Sequence, residues 1–141
     1  MSDVPHQVLI VEDNEADVFL IEEAIKSAKV PVSLYVARNG EQATSYFDRV
    51  DRDSETPGPA LVILDINLPR KPGYEVLKHL RKSRRSATAH VIVVSTSDSP
   101  RDRDQMKQLG ADRYFRKPSE YAGFMKLGEL VKALLSSDDR S

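Results

Sequence analysis

Apolar and polar positions follow one another in blocks that predict the elements of this chain. Short runs rich in β-branched residues fall near residues 6–11, 32–36, 60–65, 90–95 and 113–115. Such runs read as buried strands. Between them apolar residues return at helical spacing, as in Ile21, Ala24, Ile25, Ala28 and again in Ala43, Tyr46, Phe47, Val50. The same stripe recurs as Gly73, Val76, Leu77, Leu80 and as Leu127, Leu130, Val131, Leu134, each the buried face of an amphipathic helix. A fourth, weaker helix is predicted over residues 100–109, with Met106 and Leu109 as its apolar contacts and Gly110 as its stop. Strict strand–helix alternation implies an α/β fold: a doubly wound, five-stranded parallel sheet with helices on both faces and right-handed crossovers. The polar stretch 48–59 reads as a long connection, and residues 136–141 as a frayed tail.

The places where the apolar runs stop carry the chemistry. Val8-Leu9-Ile10-Val11 runs into Glu12-Asp13-Asn14, and Leu61-Val62-Ile63-Leu64 runs into Asp65. Ser95 closes the fourth run, and Tyr114 and Lys117 lie in and just after the fifth. Each residue has a plain structural reading: helix cap, strand end, packing ring or solvated charge. Taken jointly they say more, because the carboxyl ends of strands in such a sheet line one crevice. Two carboxylates about 4 Å apart repel by roughly 4 kcal/mol at an effective dielectric near 20. Three gathered together need a cation, and hard oxygen ligands suit Mg²⁺. Three carboxylates, one Mg²⁺ and the Lys117 ammonium sum to neutrality. Such a pocket can accept a phosphoryl group on an aspartate nucleophile.

Composition narrows the classes. A length of 141 residues fits one domain, with its core over about residues 6–135. The formal net charge of −1 gives no global field favouring nucleic acid or an anionic membrane. The absence of cysteine excludes disulfides, thiolate metal sites and cysteine nucleophiles. No apolar run approaches the ~20 residues of a membrane helix, and the first residues form no secretory leader, so the expected address is the cytoplasm.

The motifs Val11-Glu12-Asp13-Asn14, Leu64-Asp65-Ile66-Asn67-Leu68-Pro69 with Gly73, Val94-Ser95 and Tyr114-Phe115-Arg116-Lys117-Pro118 stand in an order that resembles the receiver domain of two-component response regulators. The resemblance spans essentially the whole chain and implies the flavodoxin-like strand order 2-1-3-4-5. It further implies that Asp65 is the phosphoacceptor, supplied by a sensor histidine kinase, a histidine phosphotransfer protein or a small phosphodonor. Asp13 and Asp65 would bind Mg²⁺, with Glu12 acting through water and Asn67 through its backbone carbonyl. Ser95 and Lys117 would hold phosphoryl oxygens, and the Lys117–Pro118 bond is expected to be cis. Ser95 and Tyr114 would form the switch, Tyr114 moving in from an outward position.

Departures from the family pattern refine this picture. Pro72 stands where an acidic residue is common, Arg70-Lys71 make that turn basic, and Arg113 replaces an acidic residue that helps DNA-binding regulators pair. These features, with the long 48–59 connection, resemble receiver-only regulators, including those partnered with bacterial phytochromes. The run Lys78, Arg81, Lys82, Arg84, Arg85 reads as a solvated face. Output is expected through a downstream protein, from the face of the fourth helix, fifth strand and last helix. A strip of Tyr121, Phe124 and Met125 there would favour a homodimer. Three rival readings are weaker. A haloacid-dehalogenase-like phosphatase would need a general acid where Asn67 stands. A flavodoxin-like cofactor binder would place phosphate against Glu12-Asp13-Asn14-Glu15. An interaction-only pseudo-receiver would lack the acceptor or the lysine.

Overall fold

The computed structural model describes residues 5–139. Five strands, β1 (His6–Val11), β2 (Val32–Ala37), β3 (Leu61–Asp65), β4 (His90–Ser95) and β5 (Arg113–Arg116), alternate with α1 (Glu15–Ser27), α2 (Gly40–Arg52), α3 (Gly73–Lys82) and α4 (Pro100–Gln108). A four-residue helix, α5 (Tyr121–Phe124), precedes the final α6 (Leu127–Asp139). The strands pair in parallel in the order β2-β1-β3-β4-β5, as the sequence implies. The two-residue period of a strand splits the core in two. Val8, Ile10, Ile63, Ile92 and Val94 pack with α1, α5 and α6, while Leu9, Val11, Val62, Leu64, Val91 and Val93 pack with α2, α3 and α4. Every residue of β3 is buried, which explains its unbroken apolar run.

Four expectations are corrected. Helix α2 continues to Arg52, so the connection before β3 is shorter than 48–59. Val50 is buried, Asp48 Oδ1 lies 2.8 Å from His79 Nε2, and Asp51 accepts the backbone N–H groups of Arg84 and Arg85 at 3.1 and 2.8 Å. Those two bonds, the Arg85 bond foremost, hold the Asp51 carboxyl below its usual pKa. Helix α6 runs past Ser136 to Asp139, since each added helical residue brings its own hydrogen bond. Phe124 is buried against Phe115, their centroids 5.8 Å apart. The apolar strip expected to pair two copies is thereby reduced to exposed Tyr121 and half-buried Met125. No peptide bond among the described residues is cis, so Lys117–Pro118 is trans, the isomer that X–Pro bonds favour by about 0.5–1 kcal/mol.

The basic run is only partly a solvated face. Arg81 donates to the carbonyls of Ala87 (2.8 Å), Ala89 (2.6 Å) and Gly110 (2.5 Å), tying α3 to the turns that lead into β4 and β5. Arg85 binds the carbonyls of Val50 and Asp53, and Arg84 that of Asp51. Lys78 and Lys82 are exposed. Arg81→Ala leaves three carbonyls to find water and should lower stability by about 2–3 kcal/mol, roughly 5–10 °C in melting temperature. Lys78→Ala should fall within about 0.5 kcal/mol of wild type. A thermal melt of both variants checks this.

The turn after β3 is seated by two glycines. Any Cβ at Gly40 would collide with the carbonyl of Lys71, and one at Gly73 would lie 2.5 Å from Ile66 Cα. Gly73 N–H also donates to the Ile66 carbonyl at 3.1 Å. Within this turn Arg70 takes a left-handed backbone (φ 72°), uncommon for a residue with a side chain, and its guanidinium pairs with Glu41 of α2 at 3.2 Å.

Candidate functional site

The strand ends converge as the sequence predicts. Glu12 and Asp13 follow β1, Asp65 ends β3, Ser95 ends β4 and Lys117 follows β5. Carboxylate oxygens of Glu12, Asp13 and Asp65 all lie within 4.8 Å of one another. Glu12 and Asp65 are buried and Asp13 is exposed, so the cluster is walled by protein on one side and open to water on the other. Three hard oxygen donors in that arrangement fit a divalent cation that keeps part of its hydration. Both Glu12 oxygens already have protein partners: Oε1 accepts from Lys117 Nζ at 2.7 Å and Oε2 from Asn14 N–H at 3.2 Å. Asp65 Oδ1 accepts from Asn67 N–H at 3.0 Å, and Oδ2 lies 3.4 Å from Lys117 Nζ.

The structure adds a residue that the sequence reading missed. Asp17, in the first turn of α1, accepts from Lys117 Nζ at 2.8 Å. Three carboxylates therefore share one ammonium. A signal was present: Asp17 falls in the first turn of the helix that starts directly after Glu12 and Asp13. It was absorbed into the ordinary expectation of acidic residues at a helix N-terminus.

Burial raises the pKa of Glu12 from 4.5 to about 7; the Lys117 hydrogen bond opposes the rise and the Asp65 charge adds to it. Burial works to lower the pKa of Lys117, but its bonds to Asp17 and Glu12 and the charge of Asp65 outweigh that, so it is raised and the ammonium stays charged. In metal-free protein the folded state thus keeps a proton on Glu12 that the unfolded chain has released. Stability should fall as pH rises from about 4.5 through about 7, by about 1–3 kcal/mol. Urea titrations in EDTA at pH 5 and pH 8 check this, and Glu12→Gln should flatten the difference.

On the far side of the site, Ser95 Oγ accepts from Ser97 N–H at 3.0 Å, and Ser97 Oγ donates to Asp102 at 2.6 Å. The Tyr114 hydroxyl donates to the Ser97 carbonyl at 3.0 Å, and the Arg103 guanidinium sits 4.5 Å above its ring. The tyrosine is half-buried and bonded here, where the sequence reading placed it outward. Its aromatic face attracts the guanidinium, which explains the tucked position.

Comparison with known proteins now bears on this geometry. Residues 8–128 match the response regulator receiver domain family. The chain belongs to that family. This receiver is a response regulator of two-component systems, which removes the phosphatase and cofactor-binder alternatives. It is 29% identical to the response regulator Rcp1 of Synechocystis sp., over 94% of this chain and 90% of that one. Among solved structures, the phosphorylated cyanobacterial phytochrome response regulator RcpA superposes with a TM-score of 0.84 at 29% identity, covering 95% of this receiver and 96% of that chain. The Mn²⁺-bound form of Rcp1 superposes with a TM-score of 0.80 at 28% identity, covering 92% and 93%. The strand order found here is that of the receiver fold. Among the described residues, no helix is long and apolar enough to cross a membrane.

Proposed function

We propose that this receiver accepts one phosphoryl group on Asp65 in a Mg²⁺-dependent reaction and passes the signal on by protein contact. The observation that carries this reading is the setting of Asp65: buried, one oxygen held by Asn67 N–H, the other facing Lys117, with Glu12 and Asp13 oxygens beside it. An Asp65 carboxylate oxygen attacks phosphorus. The bond from phosphorus to the imidazole nitrogen of a phosphohistidine, or to the oxygen of acetyl phosphate, breaks, and its electron pair leaves with imidazole or acetate. Water later attacks the same phosphorus and returns the carboxylate with release of phosphate. Chemistry on its own aspartate is the whole of its proposed catalysis.

When bound, Mg²⁺ would offset the negative charge that builds on the phosphoryl oxygens. Asp13 and Asp65 would hold it directly, together with the Asn67 backbone carbonyl. Glu12, buried and tightly paired with Lys117 at 2.7 Å, would reach it through water. Lys117 and Ser95 would each hold a phosphoryl oxygen. Movement of Ser95 toward that oxygen would disturb Ser97, whose carbonyl anchors Tyr114, making these residues a two-state element biased by local charge.

The similarity to phytochrome response regulators supports a phytochrome-type sensor histidine kinase as donor, directly or through a histidine phosphotransfer protein. The near-neutral charge supports a downstream protein target and no nucleic acid or membrane partner. We take residues 6–135 as the working core of one receiver domain within 1–141, acting in the cytoplasm. Incubation with acetyl phosphate should add one phosphoryl group by intact mass in Mg²⁺ and none in EDTA. Equal labelling in both would overturn the metal dependence, and no labelling in either would overturn the phosphoacceptor role.

A further inference from the structure

The Lys117 ammonium is shared unevenly. Its short bonds run to Glu12 (2.7 Å) and Asp17 (2.8 Å), while Asp65 stands at 3.4 Å. An ammonium has three donors, so all are engaged and Asp65 receives the poorest contact. Asp17 lies outside the carboxylate cluster that can hold a cation. Its own N–H donates to Asn14 Oδ1 at 3.0 Å, which fixes its backbone at the start of α1, where the helix dipole favours a negative charge.

We propose that Asp17 is a positioning residue for phosphoryl transfer: it restrains the Lys117 ammonium on the α1 side of the site. The proposal rests on Asp65 being the phosphoacceptor, with the bond changes given above. The donor now 3.4 Å from Asp65 is the one a phosphoryl oxygen would take, and drawing the ammonium toward that oxygen stretches one of its two short bonds. Glu12 is buried and also held by Asn14 N–H, whereas the Asp17 side chain is one-quarter exposed and water can replace its partner. The Asp17 bond is the one stretched. An interaction present before transfer and weakened during it slows the reaction, so Asp17 sets how readily the receiver is charged.

The test uses the full chain, acetyl phosphate and saturating Mg²⁺, with the labelling rate followed by intact mass. Asp17→Asn, which removes the charge, should label about tenfold faster, the effect of weakening one charge-assisted bond. Asp17→Glu should return toward the wild-type rate. An Asp17→Asn rate equal to or below wild type overturns the proposal, and a merely structural Asp17 would give that result. A second measurement needs no phosphoryl group: lysine ¹⁵N ammonium spectra of the metal-free protein, with Lys117 identified through Lys117→Arg. Its signal should move in Asp17→Asn and return in Asp17→Glu; an unmoved signal also overturns the restraint. If wild type gains no phosphoryl group, the phosphoacceptor reading fails and takes the kinetic role with it. Wild-type labelling without acceleration in Asp17→Asn sinks only the role of Asp17.

Discussion

Asp65→Asn should gain no phosphoryl group from acetyl phosphate under conditions that label wild type fully, because an amide oxygen is too weak a nucleophile to displace acetate. The substitution keeps the shape of the side chain and its acceptor for Asn67 N–H, so loss of labelling will report chemistry and not collapse. It should also stabilise the metal-free protein. Glu12, Asp13 and Asp65 crowd three oxygens within 4.8 Å, and removing one buried charge relieves repulsion worth about 1–2 kcal/mol after screening. A higher melting temperature in EDTA with no labelling in Mg²⁺ is the expected pair of results. Undiminished labelling, with a hydroxylamine-labile product, would place the acceptor on another residue.

Asp13→Ala should abolish the rise in melting temperature that Mg²⁺ gives to wild type. Ligand at one hundred times its dissociation constant stabilises by about 2.7 kcal/mol, roughly 5–10 °C for a domain of this size. Asp13 is exposed, so its removal costs the fold little and the loss can be assigned to the ion. Glu12→Gln should weaken the rise without removing it, since Glu12 is proposed to reach the ion only through water. An unchanged rise in Asp13→Ala would move the metal elsewhere.

The sheet was legible because its signals are local. A buried strand flanked on both faces must be apolar throughout, and an acidic residue that interrupts such a run marks the crevice at the strand's end. Hence the strand-end positions of Glu12, Asp13, Asp65 and Lys117, taken jointly, placed them at one crevice, where the structure has them. What the sequence hid depends on partners far along the chain. Residues 48–52 look like a loop until Arg84 and Arg85 are seen bonding to Asp51. Arg81 looks solvated until the carbonyls of Ala87, Ala89 and Gly110 close around it. Phe124 could be placed in an exposed strip because its core partner, Phe115, belongs to a different element. Asp17 passed for a helix-terminal charge because its partner is a lysine one hundred residues away.

The order of strands also divides the durability of the site. Glu12, Asp65 and Ser95 hang from β1, β3 and β4, each bordered by a strand on both sides, whereas Lys117 follows β5, a four-residue edge bonded only to β4. Local openings begin where backbone bonds are fewest and most exposed. Fraying of that edge would withdraw the ammonium from the carboxylates while the rest of the sheet stayed closed. The corner that carries the ammonium can therefore open long before the sheet does.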